Sequence, residues 1–360
     1  MKILFCNITY MKNYTGITDE DMVTNGGSWV KKNKDAHEQW NFLNCDGYCY
    51  GFVMNKGDQF AIERIDKEAM KSYETDDVIV VWCALNNEGE TVIVGWYEHA
   101  VVYRTYMRTP SNPLYGMDRN YFCLAKAEDC YLLPENERHF RIGRASIEGT
   151  GKGFGQQNYW YAESVYARNE LIPQVLEFLK EHKQNRINYT ESDFTRPENY
   201  LLPLTSEETD MAYELLESGE YFDFLPYGYR LFYSNETADY AHNIAVALCG
   251  LHQYSLALEW YLKVIELEGE SWENSSSLPY LYQQCGMYEE SIEKAKKLLD
   301  CEQSNDIEAK HEIYGIIADD NMYLGNIQTA VSWLQKVIDE SKNEELIRHA
   351  ISVKENWLNS

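Results

Sequence analysis

Up to about residue 145 the apolar positions come in short runs separated by turn-forming residues. Residues 2–10 and 78–85 are dense in β-branched and aromatic side chains, and residues 91–97 resume that character after Asn86-Asn87-Glu88-Gly89-Glu90. Two such runs around a short glycine-containing loop predict a β-hairpin. Shorter runs at 48–53, 59–65, 100–106 and 120–126 are further strand candidates. A Leu-Leu-Pro turn within 129–144 and a glycine-rich stretch at 149–155 follow. Many short strands at close spacing predict a small barrel or sandwich rather than a parallel α/β sheet.

From residue 170 the period changes. Leu171, Ile172, Val175, Leu176 and Leu179 recur at helical spacing with Glu and Lys between them, which predicts a helix over 170–183. Residues 186–203 are polar enough to form a connector. Ser206, followed by Glu207 and Glu208, has the composition of a helix start leading into 211–216. Residues 219–233 are dense in Phe and Tyr but interrupted by Pro226 and Gly228. The pattern assigns no element there, and an aromatic joint between two halves is expected.

Internal repetition is the strongest signal. Tyr254, Ala257, Tyr261 and Val264 align with Tyr288, Ser291, Ala295 and Leu298 at a constant shift of 34 residues. Ile327, Ala330, Leu334 and Val337 follow after 39 more. Gly286 and Gly325 precede two of the copies, with Gly250 slightly displaced. This pattern resembles the tetratricopeptide repeat (TPR) family, whose unit is helix, turn, helix, and whose small residues fall here at Ala245, Ala257, Ala318 and Ala330. A small residue lets two helices approach, and one hairpin buries its apolar face only by stacking on another. Two departures stand out. Pro279 takes a small-residue place, which predicts the first turn of a shortened helix, and about five extra residues near 301–306 lengthen one connection. The bland alternative is a plain helical bundle. The resemblance implies a groove lined by the first helix of each pair and suited to a peptide. Asn243, Gln283, Gln284 and Asn321 are the expected groove residues. Few lysines accompany them, which favours a basic or apolar peptide, or self-association, over a C-terminal carboxylate.

Composition sharpens this. The chain has 360 residues, is 44% hydrophobic and carries a formal net charge of -26. Residues 1–200 hold 22 Lys+Arg against 29 Asp+Glu, whereas residues 201–360 hold 10 against 29, a balance of -19. The second part should repel polyanions, so any nucleic-acid contact is expected in the first. Nine cysteines are scattered without disulfide spacing. The opening MKILFCNITY looks like a strand rather than a secretion signal, and no run approaches the ~20 apolar residues of a membrane span. A reduced cytoplasm is the expected compartment.

Several segments of the first half stand out as a set: NGGSWV at 25–30, GYCYGFV at 47–53, VVWCA at 80–84 with VIVGWYEHAVVYR at 92–104, LLPENERHFRI at 132–142 and GFGQQNYWYA at 153–162. Together they resemble a bacterial module associated with restriction-type proteins and defence, of the PUA/EVE-like small-barrel kind, several of which read modified bases. The resemblance implies a base stacked between rings with its polar edge hydrogen-bonded. Ser28, Trp29, Trp82, Tyr97, Gln156, Asn158, Trp160 and Tyr161 are the ligand-binding candidates. Lys31, Lys32 and Arg104 are the phosphate candidates. The glycines of 149–155 would let backbone amides approach a ligand. The plainer account is that Trp82 and Trp96 are core and the lysines a solvated turn.

Catalytic signals are poor. The run 151–155 lacks the Lys-Ser/Thr ending of a P-loop, and Cys45 with Cys49 lacks a second metal-binding pair. Glu98 and His99 are neighbours on a strand and point to opposite faces. No catalytic, metal or cofactor site is expected. The sequence thus leads to an α+β protein with a β-rich, barrel-like, ligand-reading domain over 1–185, a connector with an aromatic joint over 186–234, and TPR-type helical repeats over 235–360. The expected function is a non-enzymatic adaptor, touching nucleic acid through 1–185 and a protein or peptide through the repeats, with no membrane contact and homo-oligomerisation open. The alternatives are a pure protein-interaction scaffold and an enzyme with its site in the first domain.

Overall fold

The structure, a computed structural model, describes residues 1–24, 36–45, 47–57, 59–108, 119–183, 203–300 and 307–359. The chain divides into two compact units, Met1–Leu202 and Pro203–Ser360. Among the described residues no helix is long and apolar enough to cross a membrane.

The first unit is built on a mixed sheet. Its strands are β1 (Lys2–Ile8), β2 (Tyr48–Gly51), β3 (Glu74–Leu85), β4 (Thr91–Arg108), β5 (Asn120–Lys126), β6 (Cys130–Leu132) and β7 (Tyr159–Trp160). Their order is β2-β5-β4-β3-β1-β7, with β6 beside β4. The expected hairpin is β3–β4. Asn86 closes it, its side-chain oxygen accepting from the Glu88 and Glu90 N–H groups at 3.0 and 2.9 Å. Gly89, with φ of +84°, takes the left-handed position of that loop.

The sheet does not close into the expected barrel, because β2 and β7 end it as separate edges. Two features of the chain account for this. The run at 100–106 is not a new strand; it continues β4 to 18 residues through shifts in register. And β1 inserts parallel to β3, in register from Lys2–Val78 to Ile8–Ala84, which needs the long crossover of 9–73. Strand β1 is covered on both faces. Leu4, Cys6 and Ile8 enter one core with Trp82, Tyr97 and Phe122. Ile3 and Phe5 enter a second with Val81, Trp96 and Leu133. After the short α1 (Ala145–Glu148), helix α2 (Ile172–His182) lays Val175, Phe178 and Leu179 on that second core. A helix, rather than more sheet, seals that face.

The second unit is a chain of helices, each packed on the next: α3 (Ser206–Ser218), α4 (Tyr221–Ser234), α5 (Ala238–Gly250), α6 (Tyr254–Glu268), α7 (Trp272–Ser275), α8 (Leu278–Gln284), α9 (Tyr288–Leu299), α10 (Ile307–Tyr323), α11 (Ile327–Glu340) and α12 (Glu344–Asn359). Thr205, rather than Ser206, caps α3. Its hydroxyl accepts from the Glu208 N–H at 3.2 Å, while the Glu208 carboxylate accepts from the Thr205 N–H at 2.8 Å. The unassigned aromatic stretch is α4. Phe224, Leu225, Tyr229, Leu231 and Phe232 are buried, although Pro226 lies inside the helix. Gly228 makes room for Phe224, since a Cβ there would stand 2.8 Å from that ring. Phe232 meets Trp260 of α6 edge-on at 4.8 Å. The helical unit therefore begins upstream of residue 235, and the stretch drawn as a joint is part of its first helix pair.

The repeat register appears as buried small residues. Ala245, Ala257, Ala318 and Ala330 are fully buried. So is Ser291, whose hydroxyl donates to the Pro279 carbonyl at 2.8 Å. Pro279 sits in the first turn of α8, a helix of only 7 residues. The insertion near 301–306 lies outside the described residues. One carboxylate of the array is fully buried among the described residues. Asp320 of α10 accepts from Gln283 Nε2 at 2.8 Å, and its second oxygen has no partner among the described residues. Burial pushes its carboxyl above the ordinary range, against the lowering effect of Ser291 and Gln283.

Two predictions follow from this packing. Ala257→Trp and Ala330→Trp each overpack a helix contact and should cost about 1–3 kcal/mol or more in chemical denaturation of the full chain. Wild-type unfolding of both would show the register to be wrong. Asp320 has a folded-state pKa above its unfolded value of about 3.9, so ionising it costs stability, fully above the folded value and not at all below the unfolded one. Asp320→Asn should therefore melt above wild type at pH 8, with the gap shrinking as the pH falls toward about 4.

Candidate functional site

The predicted ring cage of the first unit is divided by strand alternation. Trp82 of β3 and Tyr97 of β4 are both 0% exposed and meet edge-on at 5.2 Å in the first core. The Tyr97 hydroxyl donates to the Asn41 carbonyl. Neither ring reaches the surface. On β7 successive side chains point to opposite faces. Tyr159 and Tyr161 turn toward the first core, while half-buried Trp160 turns toward the second and packs on Phe5 at 5.5 Å and Phe154 at 6.2 Å. Both tyrosine hydroxyls are engaged. Tyr161 accepts from the Ala61 N–H at 2.9 Å and Tyr159 donates to Asn55 at 3.1 Å. The Arg64 guanidinium stands 4.3 Å above the Tyr161 ring.

Gln156 is exposed, and Asn158 is half-buried with its amide donating to the Met54 carbonyl at 3.3 Å. Arg104 is spent on its own fold. It bonds the carbonyls of Ser72, Ala69 and Met70 at 2.9, 2.9 and 3.2 Å and the Glu63 carboxylate at 2.7 Å. Ser28, Trp29, Lys31 and Lys32 lie outside the described residues. The glycine run has a structural task as well. A Cβ on Gly153 would stand 1.8 Å from the Gly143 carbonyl, and one on Gly143 would stand 2.4 Å from the Lys152 carbonyl. Those glycines let two chain segments approach each other. Among the described residues no three His, Cys, Asp or Glu side chains gather as metal ligands.

In the second unit the four expected groove amides separate into two kinds. Gln283 ties the first helix of one pair to that of the next through Asp320, and Asn321 is buried with its amide on the Ile317 carbonyl at 2.7 Å. Gln283 thus links two helices, whereas the Asn321 bond lies within α10. Asn243 is half-buried and Gln284 exposed. The sequence reading missed three carboxylates. Asp239, Glu273 and Glu312 are exposed, stand on α5, α7 and α10, and have no ion-pair partner among the described residues. They are spaced by 34 and 39 residues, the repeat offsets themselves. That spacing was the signal that would have found them. Tyr280 of α8 is 43% exposed and packs edge-on against Tyr254 at 6.1 Å.

No protein-family model matches the chain and no curated protein resembles it. Solved structures similar to it include residues 41 to the end of MamA from Desulfovibrio magneticus RS-1, at 12% identity over 42% of this chain and 92% of that one, with a TM-score of 0.35. Another is YrrB, described as a TPR protein with an unusual peptide-binding site, at 15% identity over 52% of this chain and 87% of that one, with a TM-score of 0.37.

The placement of Trp160 yields a measurable expectation. Removing its ring exposes Phe5 and Phe154, so Trp160→Ala should lower stability by about 2–3 kcal/mol in chemical denaturation. Tyr161→Phe, which removes one hydrogen bond, should cost about 1 kcal/mol.

Proposed function

We propose that the protein is a non-catalytic adaptor whose helical unit grips a basic segment of a partner protein. The observation that carries this is the recurrence of Asp239, Glu273 and Glu312, three exposed carboxylates at the repeat offsets of 34 and 39 residues, on α5, on the short α7 that precedes the first helix α8, and on α10. Acidic residues near helix starts also serve the helix dipole, which accounts for Asp239 and Glu273 but not for Glu312, five residues into α10. The balance of -19 over 201–360 supports a cationic ligand. Packed helices lie about 8–10 Å apart, and an extended chain advances about 3.3 Å per residue. A ligand with Lys or Arg at about every third position would suit carboxylates carried on successive packed helices.

For the first unit we propose recognition of a nucleobase by the segment Gln156–Trp160, written with its exposed Gln156 and Gln157, half-buried Asn158 and half-buried Trp160. Trp82, Tyr97 and Arg104 are left out of that surface because the core and the 62–72 stretch use them.

The peptide reading is tested by fluorescence anisotropy with the full chain. A peptide carrying Arg at every third position should bind, with affinity falling as salt rises. The triple variant Asp239→Asn, Glu273→Gln, Glu312→Gln should weaken it at least about tenfold. Equal binding of acidic and basic peptides would sink the reading.

A further inference from the structure

We propose that Arg144 is the anchor of a phosphate site on the first unit, and that its ligand is a nucleotide rather than a bare base. The identity of the phosphate carrier rests on the base reading above; the phosphate site itself does not. Arg144 is half-buried, in a chain of net charge -26. Its Nε donates to Thr91 Oγ1 at 3.1 Å, and its Nη2 lies 3.5 Å from Asn7 Oδ1. No carboxylate pairs with it among the described residues. Other arginines of the first unit differ: Arg141 is held by Glu148 at 3.1 Å, Arg104 by Glu63 at 2.7 Å, and Arg64 by Glu163. Arg138 spends its donors on the carbonyls of Leu133, Met11 and Lys12.

A half-buried charge without a counter-ion is costly, and an oxyanion would offset that cost. Thr91 and Asn7 orient the guanidinium without neutralising it. Of its five N–H donors, at least three remain for a ligand, and the planar fork matches a phosphate through two parallel bonds.

The surroundings place this group beside the proposed base surface. Asn7 follows Ile3 and Phe5 along one face of β1, so it is the polar end of that apolar row. Trp160 packs on Phe5 in the same row. Phe154 links the two, since its backbone bridges Arg144 and its ring packs on Trp160. The Asn7 N–H donates to the Asn158 carbonyl at 2.6 Å, which brings the Gln156–Asn158 segment past Asn7. Backbone contacts thus bring the segments that carry Arg144, Trp160 and Asn158 together at the end of β1. Glu148, one turn along the chain from Arg144, is occupied by Arg141. Lys152 is turned over the Tyr166 ring at 5.4 Å.

The test is isothermal titration calorimetry of the full chain at low salt with inorganic phosphate, 5′-mononucleotides and the matching nucleosides. Nucleotides should bind at least about tenfold more tightly than nucleosides. Arg144→Gln should weaken nucleotides by about 10- to 100-fold, as expected for a lost charged hydrogen bond, and leave nucleosides unchanged. Arg144→Lys, which keeps the charge but loses the fork, should fall between. Arg141→Gln should bind like wild type, and melting curves of all variants check that they remain folded. Absence of any binding, or nucleotide binding indifferent to Arg144→Gln, overturns the site. Arg144-independent binding of nucleosides and nucleotides alike would spare the base reading and sink this one. Arg144-dependent binding of inorganic phosphate as tight as that of any nucleotide would support the phosphate site and sink the base reading.

Discussion

The parallel pairing of β1 with β3 is the contact on which the first unit depends. Both strands lie inside the sheet, and β1 carries apolar side chains to two separate cores. A strand covered on both faces cannot alternate between apolar and polar residues, which is why residues 3–6 read Ile-Leu-Phe-Cys. The same alternation decides which neighbours share a face. It sends Trp160 and Tyr161 to opposite sides of the sheet, so a motif that looks like one cluster of rings in sequence becomes two. It also puts Asn7 on the face of Phe5, where the apolar row ends beside Arg144.

In the helical unit the corresponding constraint is close approach. Fully buried Ala257 and Ala330 allow adjacent helices to meet, and Ser291 fills the same place by giving its hydroxyl to the carbonyl of Pro279. Asp320 is buried by this packing and holds one oxygen on Gln283, while the other has no partner among the described residues. Such a group costs stability. It also consumes Gln283, which a pattern of exposed amides would have assigned to a ligand.

Charge is distributed with the same economy. Three arginines of the first unit are matched to acids, Arg64 to Glu163, Arg104 to Glu63 and Arg141 to Glu148. Among the described residues Arg144 is held by neutral acceptors alone. In the second unit many acids are unmatched, and three of them recur with the repeat. A cation without an acid and a row of acids without cations are complementary to different ligands, an anion in one case and a basic chain in the other.

The sequence by itself determined the elements whose cause is local. The β3–β4 hairpin follows from its turn residues and the repeat hairpins from a 34-residue period. The break between strand and helix near residue 170 follows from a change in hydrophobic period. Tertiary structure alone decided the rest. Parallel pairing of β1 with β3 joins residues as far apart in sequence as Lys2 and Val78, and no local pattern encodes it. A run of Phe and Tyr around Pro226 became a helix because α5 and α6 cover its rings, which outweighs the missing N–H. The fate of polar side chains was settled last. Whether Gln283, Arg104 or Arg144 is spent or open depends on which acceptors the folded chain places within about 3 Å, and sequence spacing carries no such distance.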